Sequence, residues 1–266
     1  MFYTKNISMK KTISFFCLFF FCLSIFGQKV QNKNVLDEAI SYFNNAQECR
    51  SKKDYINAAK YYKLAADANL SPAQYELAKL YMRGEGVQIN IKEAFRLFYL
   101  AATNESMPWP GAYTNLGLLY YEGVGIERNL EESIKWYRKG AEEGDSEAMY
   151  CLGLSNQAGE GVPQSDVEAA KWFQLATDKG HENAANNLGY MYAIGKGVNK
   201  DLDKAGMLYL QAAKGGSVNA QYVIGLWYLD GLFNFPKNEN EALFWFKKAA
   251  SQGHVKAQIK VAELEN

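Results

Sequence analysis

Cysteine and histidine are the side chains best suited to nucleophilic attack and to transition-metal ligation, and this chain uses them sparingly: Cys17, Cys22, Cys49 and Cys151, with His181 and His254. The two histidines come without clustered carboxylates or thiols and so make no metal set. Each follows a glycine, Gly180 or Gly253, at a place where Asp145 and Ser217 stand elsewhere in the chain. That reads as a helix-start residue whose side chain bonds free backbone N–H groups. No Cys/His or Ser/His/Asp set stands out. Glycine pairs at Gly84/Gly86, Gly123/Gly125, Gly159/Gly161 and Gly195/Gly197 could be taken for phosphate-cradling loops, but a dinucleotide fold needs a strand before its glycines. These follow helical stretches and read as turn glycines, supplying positive φ or close backbone approach. No cofactor is expected.

The elements that must position any site are repeats. Aligning the chain with itself puts Ala73, Ala112, Ala148, Ala184, Ala220 and Ala257 in register, with spacings of 39, 36, 36, 36 and 37 residues. Self-similarity at such a period means a solenoid. In the copy from Ala112 to Glu147, Ala112, Leu116, Gly117 and Tyr120 fall at i, i+4, i+5 and i+8, the apolar stripe of a first helix, A. Gly123 and Gly125 break it. A second amphipathic stretch, helix B, follows Asn129 with Ser133, the pair Trp136-Tyr137, Gly140 and Ala141, and Gly144 closes it. Small residues at fixed points let helices approach closely, and the aromatic pair fills the space between repeats. Trp136, Trp172 and Trp245 share one helix B position, and all three are expected to be largely buried.

The copies differ in telling places. The first unit, Val35 to Leu70, carries DYINAAKYYKLAADANL but lacks paired glycines before it, and reads as an N-terminal cap. The Ala73 copy runs on through NESMPWPG, where Pro108 and Pro110 require a loop and Trp109 is expected to pack back onto a helix end. In the Ala148 copy Asn156 replaces the helix A tyrosine, a local packing change. In the Ala220 copy the turn DGLFNFPKNE keeps Gly231 but gains Phe233, Phe235 and Pro236, either a packed plug or an exposed apolar patch. The last stretch, 255–265, is a lone helix A that would cover the open end of the stack.

Residues 1–27 have another character. Lys10 and Lys11 precede an apolar run from Ile13 to Phe26, ISFFCLFFFCLSIF, and then come Gly27 and Gln28, the pattern of a secretory signal peptide. The run of 14 residues is shorter than the roughly 20 that a membrane-spanning helix needs. An uncleaved N-terminal anchor is the alternative, and Met9 is an alternative start. Cys17 and Cys22 lack the small residues expected before a lipidated cysteine. Residues 28–34 then form a short linker and 35–266 the repeats, with no stable membrane span after cleavage. Without Lys5, Lys10 and Lys11 the chain has 26 basic against 29 acidic residues. Phosphate binding needs a basic stripe, so nucleic acid is not an expected partner.

Leu116-Gly117 with Tyr120, Leu188-Gly189 with Tyr192, the turns Gly86-Val87, Gly161-Val162 and Gly197-Val198, and the helix Ala242 to Ala250, ALFWFKKAA, resemble the Sel-one-like repeat (SLR), a relative of the tetratricopeptide repeat. The likeness runs over roughly residues 37–266. It implies an all-α fold, a right-handed α-solenoid of about six helix-turn-helix repeats starting near residues 35, 73, 112, 148, 184 and 220. In such a stack Cys49 and Cys151 lie about three repeats apart, and at roughly 10 Å per helix-pair layer they are beyond disulfide reach. The per-repeat disulfides of the family's cysteine-rich secreted branch are absent from this sequence. Some secreted relatives are linked to penicillin binding or β-lactam hydrolysis, whose serine three residues before a lysine occurs here only at Ser8–Lys11, in the signal segment.

What remains is surface. Counted from the alanine that opens each helix A, positions 1, 5, 6 and 9 are shared packing positions, while positions 3, 7 and 10 lie on another stripe and vary. By analogy with tetratricopeptide solenoids this stripe lines the concave face. Its candidate partner-binding residues are Tyr75, Lys79, Leu118, Tyr121, Tyr150, Leu154, Tyr190, Tyr222 and Leu226, a tyrosine- and leucine-rich set of the kind interaction surfaces use. Any one of them could equally pack between neighbouring A helices. The functional expectation is a non-enzymatic protein-interaction scaffold, periplasmic or secreted, that binds a protein or peptide without cofactor or metal. The alternative is a cell-wall-associated enzyme or peptidoglycan-binding module. Export is directly testable: N-terminal sequencing of the native protein should find its first residue near Gln28, and recovery of intact residues 1–27 on a cytosolic protein would sink the reading.

Overall fold

The computed structural model describes residues 34–265. The expected signal segment, 1–27, and the linker as far as 33 lie outside the described residues, and Asn34 is already helical. Among the described residues every regular element is a helix: α1 (34–51), α2 (Tyr55–Asp67), α3 (Ser71–Arg83), α4 (Ile91–Thr103), α5 (Gly111–Glu122), α6 (Leu130–Glu142), α7 (Ser146–Ala158), α8 (Asp166–Asp178), α9 (Glu182–Ile194), α10 (Leu202–Gly215), α11 (Val218–Asp230), α12 (Glu239–Ser251) and α13 (Val255–Glu265). They fall into two compact units, one up to Trp109 holding α1–α4 and one from Pro110 holding α5–α13. The odd-numbered helices from α3 onward are the A helices, and the even-numbered ones are the B helices.

Local chemistry starts and stops these helices. The B helices open on Asp54, Asn90, Asn129, Ser165, Asp201 and Asn238, and each side chain accepts a backbone N–H from the first turn, satisfying a donor that has no partner inside the helix. Glu93, Glu132, Glu168 and Glu241 then place negative charge in the first turn, where the helix dipole favours it. The A helices α3, α5, α7, α9 and α11 end on Gly84, Gly123, Gly159, Gly195 and Gly231 in the left-handed region, and each glycine N–H bonds the carbonyl four residues back.

Two further glycine positions set how the helices pack. In the second unit, a Cβ added to Gly117, Gly153 or Gly225 would lie 2.4, 2.5 or 2.6 Å from the ring of Tyr137, Phe173 or Phe246. Only a bare α-carbon lets helix A sit on that ring. Gly189 is less tightly placed, 3.1 Å from Tyr209 by the same measure. In the first unit Ala78 holds this place, and Phe98 is fully buried. The second turn glycine has positive φ and seats against the start of the preceding B helix: a Cβ on Gly161 would come 2.6 Å from the Leu130 carbonyl oxygen, and one on Gly197 2.3 Å from that of Asp166.

The tryptophan expectation holds in part. Trp136 and Trp245 are buried, whereas Trp172 is only half-buried, and its neighbour Phe173 takes full burial. One residue is about 100° around a helix, so with its neighbour facing the glycine the tryptophan lies at the margin of the packed stripe in each of these copies, and its burial depends on what covers it. Tyr113 of α5 stacks on Trp136 at 5.9 Å between ring centroids, but the matching residue of α7 is Met149. Trp109 packs back as expected, its ring 6.2 Å from Tyr75 and its backbone N–H donated to the Ala101 carbonyl. The Phe233/Phe235 turn is a plug: both rings pack on Trp227, at 4.6 and 5.6 Å, and Phe235 meets Tyr228 edge-on. Helix α13 covers α12 and buries Ala257, yet it leaves Val255 and Ile259 exposed.

Thermal denaturation of four variants checks this packing. Phe173→Ala should cost about 3–5 kcal/mol, and Trp172→Ala clearly less. Alanine is the better helix former by about 1 kcal/mol, but overpacking costs about 1–3 kcal/mol, so Gly153→Ala should lower the melting temperature, and by more than Gly189→Ala. Equal melting of the two glycine variants would show that ring contact does not set the helix spacing.

Candidate functional site

The stripe of A-helix residues proves to be two kinds of surface. Position 3 is a joint. Tyr150 of α7 lies 5.8 Å from the Phe173 ring and stacks on His181, which caps α9, at 4.4 Å. Tyr222 of α11 makes the same pair of contacts with Phe246 and with His254, just before α13, at 5.7 and 4.5 Å. Thr114 of α5 donates its hydroxyl to Asp145, the cap of α7, at 2.5 Å. Tyr150, Tyr222 and Thr114 thus each tie one A helix to the start of the next, whereas Asn186, at position 3 of α9, donates to its own neighbour Asn187. In the first unit Tyr75 packs between Phe98 and Trp109, with Lys79 Nζ 4.9 Å above its ring. Lys79 also pairs with Glu76, which accepts from Arg50 at 2.8 Å.

Positions 7 and 10 are the open part. Leu154 and Tyr190 are 37% and 50% exposed, while Leu118, Tyr121 and Leu226 are half-buried. The Tyr121 hydroxyl donates to Glu160 at 2.6 Å, and the Arg128 guanidinium reaches the same carboxylate at 3.4 Å and lies 5.4 Å from the tyrosine ring. The bond to Glu160 pushes the Tyr121 phenol above its ordinary pKa, with burial adding to the shift.

Between α5 and α7 the open surface dips into a pocket of about 130 Å³. Leu118, Tyr121 and Leu154 border it, and Tyr137, Cys151 and Ser155 line it further. Sequence reasoning singled out the first three and missed Ser155. Its signal was present: Ser155 stands where the other A helices carry Leu80, Leu119, Met191 and Trp227.

The titratable groups here do not form a reactive centre. Burial pushes the Cys151 thiol up to about 12 and raises the Tyr137 phenol as well, so both stay protonated at neutral pH, and a thiol is not a nucleophile. Cys49 and Cys151 are both free. His181 Nδ1 accepts the Ala184 N–H at 3.1 Å, which leaves Nε2 to donate to Glu147 at 3.0 Å. That bond holds the Glu147 carboxyl below its ordinary pKa against the opposing effect of burial. His254 Nδ1 likewise accepts the Ala257 N–H. Both histidines cap helices, as their spacing after glycine predicts. Among the described residues no group of three or more His, Cys, Asp and Glu could hold a metal ion, and no helix is long and apolar enough to cross a membrane.

The two kinds of surface separate in a melting experiment. Tyr150→Ser removes contacts with two rings and should lower the melting temperature, while Tyr190→Ser on the exposed position should leave it nearly unchanged. Equal loss in both variants would place Tyr190 in the core.

Comparison with known proteins agrees with this architecture. The rat protein named DAP3-binding cell death enhancer 1 is 35% identical over 86 residues, 32% of this chain and 16% of that protein. This chain spans less than a fifth of the length of the curated relatives it matches. The crystal structure of a Sel1 repeat protein from Oxalobacter formigenes is 32% identical and superposes with a TM-score of 0.75, covering 81% of this chain and 86% of that one. A protective antigen of uropathogenic Escherichia coli strains that displays an SLR fold matches with a TM-score of 0.73 at 30% identity, over 91% of this chain and 51% of that one. The Sel1 repeat profile matches residues 42–70, 71–106, 110–145, 146–181, 183–217 and 218–254, so the copies found by self-comparison and the helical hairpins they fold into make this chain a member of the Sel1 repeat family, an all-α solenoid fold.

Proposed function

We propose that the protein is a non-enzymatic scaffold, exported to the cell envelope, that binds a protein or peptide partner along the open stripe of its A helices. The observation that carries the reading is the exposure of Leu154 and Tyr190 beside half-buried Leu118, Tyr121 and Leu226 on one stripe of the A helices. A merely solvated helix face would favour Lys, Glu and Gln. Exposed apolar residues in a row mark interaction surfaces, and a few aromatic anchors usually carry most of the binding energy. Sel1 repeats mediate protein–protein interactions, and the rat relative is named for a protein that it binds. The protonated thiol and phenol at the pocket fit a binding role better than hydrolysis of a cell-wall substrate. The sequence of residues 1–27 supports export.

Full-length tagged protein used as bait in an envelope extract, followed by mass spectrometry, tests the binding face. The double variant Leu154→Ser with Tyr190→Ser should lose the partners captured by the wild type while keeping its helical circular dichroism and melting temperature. Capture of the same partners by the double variant would move the binding face elsewhere.

A further inference from the structure

The pocket between α5 and α7 exists because one repeat breaks the rule that the others keep. Leu119, Met191 and Trp227 fill the equivalent place in α5, α9 and α11, and each is buried. Ser155 is buried too, but it is smaller than any of them, by two heavy atoms against Leu119 or Met191, and a space of about 130 Å³ opens beside it. Such a volume is several times the roughly 30 Å³ share of one water molecule. It is also well short of the ~300–1,000 Å³ of sites that hold cofactors or drug-sized ligands. The size matches one aliphatic side chain. Leucine side chains form part of the wall, and a protonated thiol offers a soft, weakly polar contact.

The edge of the pocket has a sign. Glu122, the last residue of α5, is exposed to solvent. Glu160 also lines the pocket, with its carboxylate oriented by the Tyr121 hydroxyl and paired with Arg128 at 3.4 Å, while Glu122 is the further negative charge. Two carboxylates beside an apolar hole favour a cation next to an apolar group. At an exposed rim such pairing contributes more to selectivity and association rate than to affinity.

We propose that this pocket receives one leucine- or methionine-sized side chain of a bound peptide, with an adjacent lysine or arginine of that peptide meeting Glu122 and Glu160. The proposal rests on the binding face described above and names the sequence chemistry that the face selects. Panning a random peptide library displayed on phage against the full-length protein should enrich peptides with Leu, Met or Ile next to Lys or Arg. Fluorescence polarisation then compares the enriched peptides on variants. Ser155→Leu gives α7 the residue that α5 already carries as Leu119, and should weaken binding about ten- to hundredfold, the range expected when one buried aliphatic side chain is excluded, without lowering the melting temperature. Glu122→Lys, on an exposed position, should weaken binding severalfold at low salt, with the difference fading as salt rises. If Ser155→Leu itself lowers the melting temperature, Glu122→Lys decides the test. Peptides that bind Ser155→Leu as tightly as wild type but fail on the Leu154/Tyr190 double variant would overturn the pocket and leave the face standing. Peptides indifferent to all these changes, or no enrichment at all, would overturn both.

Discussion

A glycine of helix A pressed against an aromatic ring of helix B is the contact on which the rest of this structure depends. A side chain at Gly117, Gly153 or Gly225 would collide with Tyr137, Phe173 or Phe246, so the two helices of those three hairpins can approach to ring-contact distance only without one. Interiors are packed nearly as densely as organic crystals, and that close approach leaves the ring fully surrounded. No disulfide or metal set supplements it among the described residues. Where the residue is Ala78, Phe98 is still fully buried. The interface is thus tuned copy by copy and is not identical throughout.

Once the hairpin is fixed, its neighbours follow. The second turn glycine rests against the first carbonyls of the preceding B helix, as Gly161 does at Leu130 and Gly197 at Asp166. At position 3, counted from the shared alanine, Thr114 meets the Asp145 cap of the next A helix and Tyr150 meets His181. One side chain can therefore serve twice. His181 accepts the Ala184 N–H of α9 through Nδ1 while its ring covers Tyr150, a pair of tasks that suits a flat, half-apolar residue at a capping position.

A repeat array built this way leaves function to its exceptions. Packing positions are copied because each must fit its neighbour, whereas a residue that departs from the copy changes one place only. Ser155 and Asn156 stand together in α7 where α3, α5, α9 and α11 have a bulky residue followed by tyrosine. Asn156 satisfies itself by donating to the Leu152 carbonyl at 2.8 Å, and the volume given up at Ser155 becomes a cavity. The Phe233/Phe235 turn is the opposite case. Its extra rings fall back on Trp227 and Tyr228, and an apparent apolar patch becomes core.

The sequence by itself determined the repeat, the helix pairs, the turn glycines, the capping histidines and the fold class, because each follows from local periodicity or from a residue's own backbone preference. The pattern also marked which stripe of helix A varies. It did not decide which members of that stripe face water: Tyr150 and Tyr190 are the same residue type on the same varying stripe, yet the first is stacked on His181 and the second stands half in solvent. Nor did it separate Trp172 from Trp136 and Trp245, since a shared register fixes the direction of a side chain but not what covers it. The pocket at Ser155 was equally out of reach. A small residue in one helix signals only that volume has been lost, and whether that volume closes up or stays open depends on Leu118, Tyr121 and Tyr137 arriving from two other helices. Periodicity is a property of one segment and can be read from it. Burial is a relation among several segments, and only the tertiary structure brings them together.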